Sequence, residues 1–444
     1  MTQTLTAIQR SLLDGRIIVN GDLHPEFDIP RGQRLLIISQ DQSFLTHGFH
    51  KYPAKFFPEL PRWLIRKYTD RGPVLDPMAG SGTVNIECLL QGIPSIAIDI
   101  DPFAQLLTRV KTTPLDEELL ECTWEWIQAE LNDRYPESHI MIPDFPGRDD
   151  IWFRQDITRE LGIIKGAIER VPLAFDLEPR QSQKYKDFYY ICMSSIIRAV
   201  SNADDHCTRT VVRKRLNKRI EKGDAFRRFI EVSRTNIQNM IQFSRVCPSN
   251  VQVEILEDSD ARNTGLPSCS VELAVTSPPY INAVDYTRTH QLEMYWLGII
   301  DPDDGPLAEM KRQHIGTESV LKKDYEDLKT FGLPSLDAVL ESIYRVDPRR
   351  SFIIYKYFVD MKENFREIFR LLVPGGRYCV VVGNNVIRGH RIKTHEFFTE
   401  IASDIGFEVE NYFVSEIIRH FIKVPRKERI NDDWVIIFRK PTGD

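Results

Sequence analysis

Val74-Leu75-Asp76-Pro77-Met78-Ala79-Gly80-Ser81-Gly82-Thr83 combines an apolar run ending in an acid, a glycine turn and the entry to an apolar helix. A second apolar run follows and also ends in acid, Ile96-Ala97-Ile98-Asp99-Ile100-Asp101-Pro102, placing Asp99 23 residues after Asp76. Strand, glycine turn, helix and acid-tipped strand form the cradle of an open α/β sheet. Its glycines let backbone approach a ligand, and the second acid takes ribose hydroxyls. The expected fold is therefore α/β, a Rossmann-like sheet with helices on both faces. The plain alternative is a Gly-rich strand-to-helix turn that holds nothing.

An acid that opens such a turn is unhelpful for a pyrophosphate and suits a ligand with a cationic end, such as the ammonium and sulfonium of S-adenosylmethionine. Asp76, Ala79, Gly80, Gly82, Thr83, Asp99 and Ile100 are the candidate contacts. No GxxxxGK[ST] phosphate loop occurs near them.

Two hundred residues downstream, the short apolar strand Val271 to Val275 runs into Thr276-Ser277-Pro278-Pro279-Tyr280. Prolines donate no N–H and fix φ, so the strand stops and its last carbonyls remain as acceptors. The Ser277 hydroxyl and Pro278 carbonyl are suited to gripping an amino group, Pro279 to ending the strand, and the Tyr280 ring to stacking on a flat substrate. A strand that stops at a Pro-Pro turn and buries a tyrosine is the bland counterpart.

Together these two segments resemble the S-adenosylmethionine-dependent DNA amino-methyltransferases, and the Ser-Pro-Pro-Tyr form resembles the branch acting on the N4 amine of cytosine. The resemblance covers Phe49 to about Pro114 and Val251 to about Lys440. It implies a methyltransferase sheet whose last strand inserts antiparallel, with S-adenosylmethionine as cofactor and double-stranded DNA as substrate. It also allows a cognate restriction endonuclease as partner. It assigns to Tyr52 and Lys55, in the Pro-broken loop HGFHKYPAKFFPELPRW, closure over the methionine end of the cofactor. It assigns to Asp260, with Asp258 as rival, and to neighbouring Ala261 a contact to the adenine.

The chain has 444 residues, a formal net charge of −6 and seven cysteines, scattered without a CxxC or Cys/His cluster. Its length implies a catalytic domain with appended modules, and its cysteines imply reduced thiols and no metal. The absence of a long apolar run or leader pattern implies a cytoplasmic protein that makes no membrane contact. The expected layout is an N-terminal extension (1–45), read as a short helix and two small strands, then a cofactor-binding part (46–114). A helical insertion (115–250) and a catalytic part (251–444) follow, the latter with a loop excursion over 301–350.

In the insertion, Arg209 to Arg228 carries nine basic residues against two acids. Arg209, Arg213, Lys214, Arg215, Lys218 and Arg219 are candidate phosphate contacts, with Arg288 beyond the clamp and Arg419 to Arg429 as a further stretch. A solvated helix face is the ordinary reading of such a run. Either the insertion or the 301–350 excursion reads the DNA. His290 is expected to be a satisfied core histidine.

Methylation at cytosine carbon-5 is excluded by the lack of a Pro-Cys dipeptide. Adenine N6 methylation, methylation of an RNA exocyclic amine, and a non-catalytic DNA-binding relative stay open at this level.

Overall fold

The computed structural model describes residues 9–11, 15–39, 41–132, 134–144, 151–205, 207–213, 218–281, 284–300, 307–416 and 432–443. Its strands in chain order are β1 (Gln9–Ser11), β2 (Arg16–Asn20), β3 (Arg34–Ile38), β4 (Val74–Asp76), β5 (Ser95–Ile98) and β6 (Val253–Leu256). They continue with β7 (Val271–Thr276), β8 (Leu372–Gly383), β9 (Asn385–Ile387), β10 (His390–Ile392), β11 (Glu408–Glu416) and β12 (Asp432–Arg439). All but the β9–β10 hairpin join one ten-stranded sheet, in the order β1-β2-β3-β11-β12-β8-β7-β4-β5-β6.

From β6 through β5, β4 and β7 to β8 every pairing is parallel. β12 then inserts antiparallel to both β8 and β11, as the resemblance implied. Alternation along β7 shows why the sheet is covered on both faces. Leu273 and Val275 pack with Trp63 and Val84 on one side, while Ala274 packs with Phe358 and Phe365 on the other. Helices Glu59–Tyr68 and Thr83–Leu90 cover the first face, and Pro348–Leu371 and Thr394–Ile405 the second.

Four helices, Glu117–Glu130, Gln155–Phe175, Pro179–Ile197 and Asp224–Val246, lie between β5 and β6. A parallel crossover needs only a dozen or so residues. The excess builds a separate core, in which Trp124, Leu161, Phe188, Tyr189 and Phe229 pack against Phe103 and Leu107 of helix Pro102–Thr112.

In the first 45 residues the two expected small strands are present as β2 and β3, and a third strand stands ahead of them. Gln9–Ser11 is that strand, and β1 to β3 extend the sheet beyond β11. The 301–350 stretch also differs, because it carries helices Leu307–Gln313 and Pro334–Tyr344. Lys214, Arg215 and the Arg419–Arg429 stretch lie outside the described residues. Among the described residues no helix is long and apolar enough to cross a membrane.

Candidate active site

β4, β5 and β7 are parallel neighbours, so Asp76, Asp99 and Thr276 emerge at the same edge of the sheet. The turn after β4 follows from Gly80 and Gly82, whose φ values of 51° and 73° are left-handed. A Cβ on Gly82 would stand 2.9 Å from Thr108, so this glycine lets the following helix dock against Pro102–Thr112.

An open cavity lies above these strand ends. It is lined by Tyr52, Lys55, Asp76, Ala79, Gly80, Thr83, Asp99, Ile100, Asp260, Ala261, Ser277 and Pro279 of the sequence candidates. Three candidates do not line it. Gly82 is taken up by helix packing, Pro278 is buried, and Tyr280 turns its hydroxyl away to Asp433 Oδ1, 2.5 Å distant.

The floor of the cavity is acidic. Asp76 Oδ1 accepts from Thr276 Oγ1 at 2.9 Å and from Met78 N at 3.2 Å. Burial pushes the Asp76 carboxyl up to about 7, against the pull of those two bonds. Asp99 accepts from Gly80 N at 2.8 Å on one oxygen and from Asp101 N at 2.9 Å on the other. Burial and the neighbouring Asp101 raise it to about 6. Asp101 caps helix Pro102–Thr112 through Phe103 N.

The walls are partly spoken for. Burial draws the Lys55 ammonium down to about 8, and it donates to the carbonyls of Gln42 (2.9 Å) and His47 (2.8 Å), so its protons secure its own loop. Tyr52 is stacked on Tyr286 (centroids 5.4 Å apart) and on His290 (5.2 Å). Asp260, and not the exposed Asp258, reaches the cavity, but Arg262 grips both its oxygens at 2.8 and 2.5 Å. Burial would raise the Asp260 carboxyl; the Arg262 bonds outweigh it and hold it below the ordinary range. Tyr286, just downstream of the clamp, also lines the cavity, as do Asp101, Arg262 and His314, which sequence reasoning did not place there. His314 sits in the run His314-Ile315-Gly316-Thr317, a Gly-containing turn inside a polar stretch, which was its only local signal.

His290 departs from the expected satisfied histidine. It is buried with His50 and Glu293, their ligand-type atoms within 4.8 Å of one another, and neither ring nitrogen of His290 has a hydrogen-bond partner among the described residues. Burial holds His50 down to about 4 and pushes Glu293 up to about 7. The Arg198 charge acts on both His290 and Glu293 and opposes a cation there.

Of the basic candidates, Lys218 is spent inside the protein, donating to Arg198 O (2.8 Å), Ala203 O (3.2 Å) and Asp205 Oδ1 (2.9 Å). Arg209 and Arg213 are more than half exposed while pairing loosely with Glu318 (3.6 Å) and Asp204 (3.2 Å). Arg219 is exposed, and Arg288 is half-buried and outside the cavity lining.

No protein-family model matches the chain. Type II methyltransferase M.MvaI of Kocuria varians is 25% identical over 418 residues, covering 89% of this chain and 87% of the relative. Type II methyltransferase M.BsoBI of Geobacillus stearothermophilus is 24% identical over 434 residues, covering 85% and 81%. A solved SAM-dependent methyltransferase of Methanosarcina mazei aligns at 10% identity and a TM-score of 0.30, over 86% of this chain and 98% of its own, too slight a likeness to carry an argument. In sequence, the chain is thus similar to Type II methyltransferases over most of its length.

Proposed function

We propose that the chain is an S-adenosylmethionine-dependent DNA methyltransferase that modifies the exocyclic N4 amine of cytosine. The carrying observation is that Asp76 and Ser277, one from each sequence segment, line a single cavity. Similarity to Type II methyltransferases along the length of the chain supports the DNA-methylating part of the reading.

The cavity fits the cofactor. Its acids suit a cationic amino-acid end, the glycine turn brings backbone close, and the buried Asp101 Oδ2 lacks a hydrogen-bond partner among the described residues. Asp76, Gly80, Asp99 and Asp260 are the residues assigned to hold it, with Tyr52 and Ala261 as walls. When bound, S-adenosylmethionine supplies a methyl group already activated by the sulfonium charge.

The remaining task falls to the clamp. The amine lone pair of cytosine is delocalised into the ring, so the nitrogen becomes nucleophilic only as it pyramidalises. Acceptors at Ser277 Oγ and the Pro278 carbonyl hold the amine protons and favour that geometry. The Ser277 hydroxyl has no partner among the described residues, which leaves it free for this. Positioning of the amine then supplies most of the rate. The base must leave the duplex, and Tyr280, tethered by Asp433, is assigned its face, offsetting a few kcal/mol of lost stacking.

The helices of 115–250 are assigned to target recognition, with Arg209, Arg213 and Arg219 towards phosphates. Nucleosides from DNA of a methylation-free host expressing the protein test the reading by mass spectrometry. N4-methyldeoxycytidine is expected; N6-methyldeoxyadenosine would move the target to adenine, and an unmodified digest would overturn the assignment.

A further inference from the structure

Two buried acceptors at the edge of the cavity have no partners among the described residues. Asp101 is 1% exposed; its Oδ1 takes the Phe103 N–H at 2.9 Å, the Ala104 N–H also acts on the carboxyl, and no partner at hydrogen-bond geometry is found for Oδ2 among the described residues. His314 Nδ1 lies 2.9 Å from Met310 O. A carbonyl only accepts, so Nδ1 carries a proton, and an Nε2 without one is an acceptor. That Nε2 is also buried and unpartnered. Both residues line the cavity. Buried acceptors without partners are rare unless a ligand or water completes them.

Asp99, the acid expected to take ribose hydroxyls, already accepts one backbone N–H on each oxygen. A ribose offers two adjacent O–H donors, and two unpartnered acceptors line the same cavity. We propose that His314 and Asp101 hydrogen-bond the ribose hydroxyls of the cofactor, His314 being contributed by the segment that follows the clamp. This rests on reading the cavity as an adenosyl-cofactor site.

The position of His314 is fixed from both sides. Gln313 O accepts from Arg262 Nη2 at 2.9 Å. Two residues beyond His314, a Cβ at Gly316 would stand 2.9 Å from the Tyr280 carbonyl oxygen, so only glycine lets the segment lie so close to the clamp. The backbone that seats His314 over the cofactor therefore also rests on the residue assigned to the target base.

The test is calorimetric titration of the full chain with S-adenosylhomocysteine and with its 2′,3′-dideoxyribose counterpart. His314→Ala is expected to weaken S-adenosylhomocysteine about tenfold, or about 1.4 kcal/mol, and to leave the dideoxy probe unchanged. Asp101→Ser, which keeps a helix-capping oxygen and removes the second one, is expected to show the same selectivity. Melting temperatures of the unliganded variants check folding. Equal losses on both probes, or no loss, overturn the inference while the cofactor reading stands. Failure of the wild-type chain to bind either probe overturns both.

Discussion

Thr276 Oγ1 donates to Asp76 Oδ1 across 2.9 Å, although the two residues are 200 positions apart in the chain. The bond joins the last residue of β7 to the last residue of β4 inside the sheet edge, where Thr276 is fully buried and Asp76 is 3% exposed. It is the direct physical link between the glycine turn and the Ser-Pro-Pro-Tyr segment.

Thr276→Val keeps the shape and removes the donor. A buried acceptor loses its partner, so the variant is expected to be about 1–3 kcal/mol less stable, read by urea denaturation. Cofactor binding is expected to weaken with it, because the Asp76 carboxyl will ionise less readily.

Ser277→Ala leaves the acids of the cavity in place and removes one acceptor of the clamp. Methyl transfer is expected to fall on the order of 100-fold, in the range seen when a single stabilising hydrogen-bond group is deleted. Affinity for S-adenosylmethionine, measured by calorimetry, is expected to hold. A parallel loss of affinity would place Ser277 in the cofactor site instead.

Asp76 and Asp99 are raised to about 7 and about 6, so each binds its proton more readily in the folded chain than in the unfolded one. Their contribution to stability is complete below the ordinary carboxylate range, near pH 4, and is lost as pH rises through 6 to 7. A cationic ligand favours the ionised acids. Affinity for S-adenosylmethionine is therefore expected to rise from about pH 5.5 to about pH 8, and binding near pH 6.5 to release protons. Titrations in buffers of different ionisation enthalpy measure that release.

The Tyr280 hydroxyl is tied to Asp433, whose carboxyl burial raises to about 6. Tyr280→Phe strands a half-buried carboxyl and is expected to destabilise the chain by about 1 kcal/mol. Asp433→Asn retains an acceptor and is expected to lie near wild type in both stability and transfer rate. Equal damage from both substitutions would remove the tether from the account.

Joint reversal of Arg209, Arg213 and Arg219 to Glu is expected to weaken DNA binding across sequences and to flatten its dependence on salt, by about 0.9 in log–log slope for each phosphate no longer neutralised. Filter binding over a range of salt concentrations reads this directly. Cofactor affinity is expected to stay unchanged.

The local parts of the site were legible because they are written in contiguous residues. Strand, glycine turn and acid-tipped strand need no partner to be recognised, and a Pro-Pro pair ends a strand wherever it lies. Residues whose use depends on distant neighbours were not legible. Asp433 matters through Tyr280, 153 positions earlier, and His314 through a cavity built from β4, β5 and β7. Charge alone also misled at Lys218, whose three acceptors lie on residues 198 to 205 and empty the cation of any external role. Two of the N-terminal strands were legible, but their place in the sheet was not, because strand order is decided by pairing with β11, nearly four hundred residues away.

Those N-terminal strands carry a practical consequence for anyone trimming the gene. β3 runs beside β11, Gly32 N donates to Tyr412 O at 2.7 Å, and Arg34 pairs with Glu416 at 2.9 Å. Shortening the chain from its start would strip this cover and leave the nine-residue Glu408–Glu416 strand as a bare margin. A long uncovered margin recruits other polypeptides, so the shortened product would be expected to clump during expression while its chemistry stayed intact on paper.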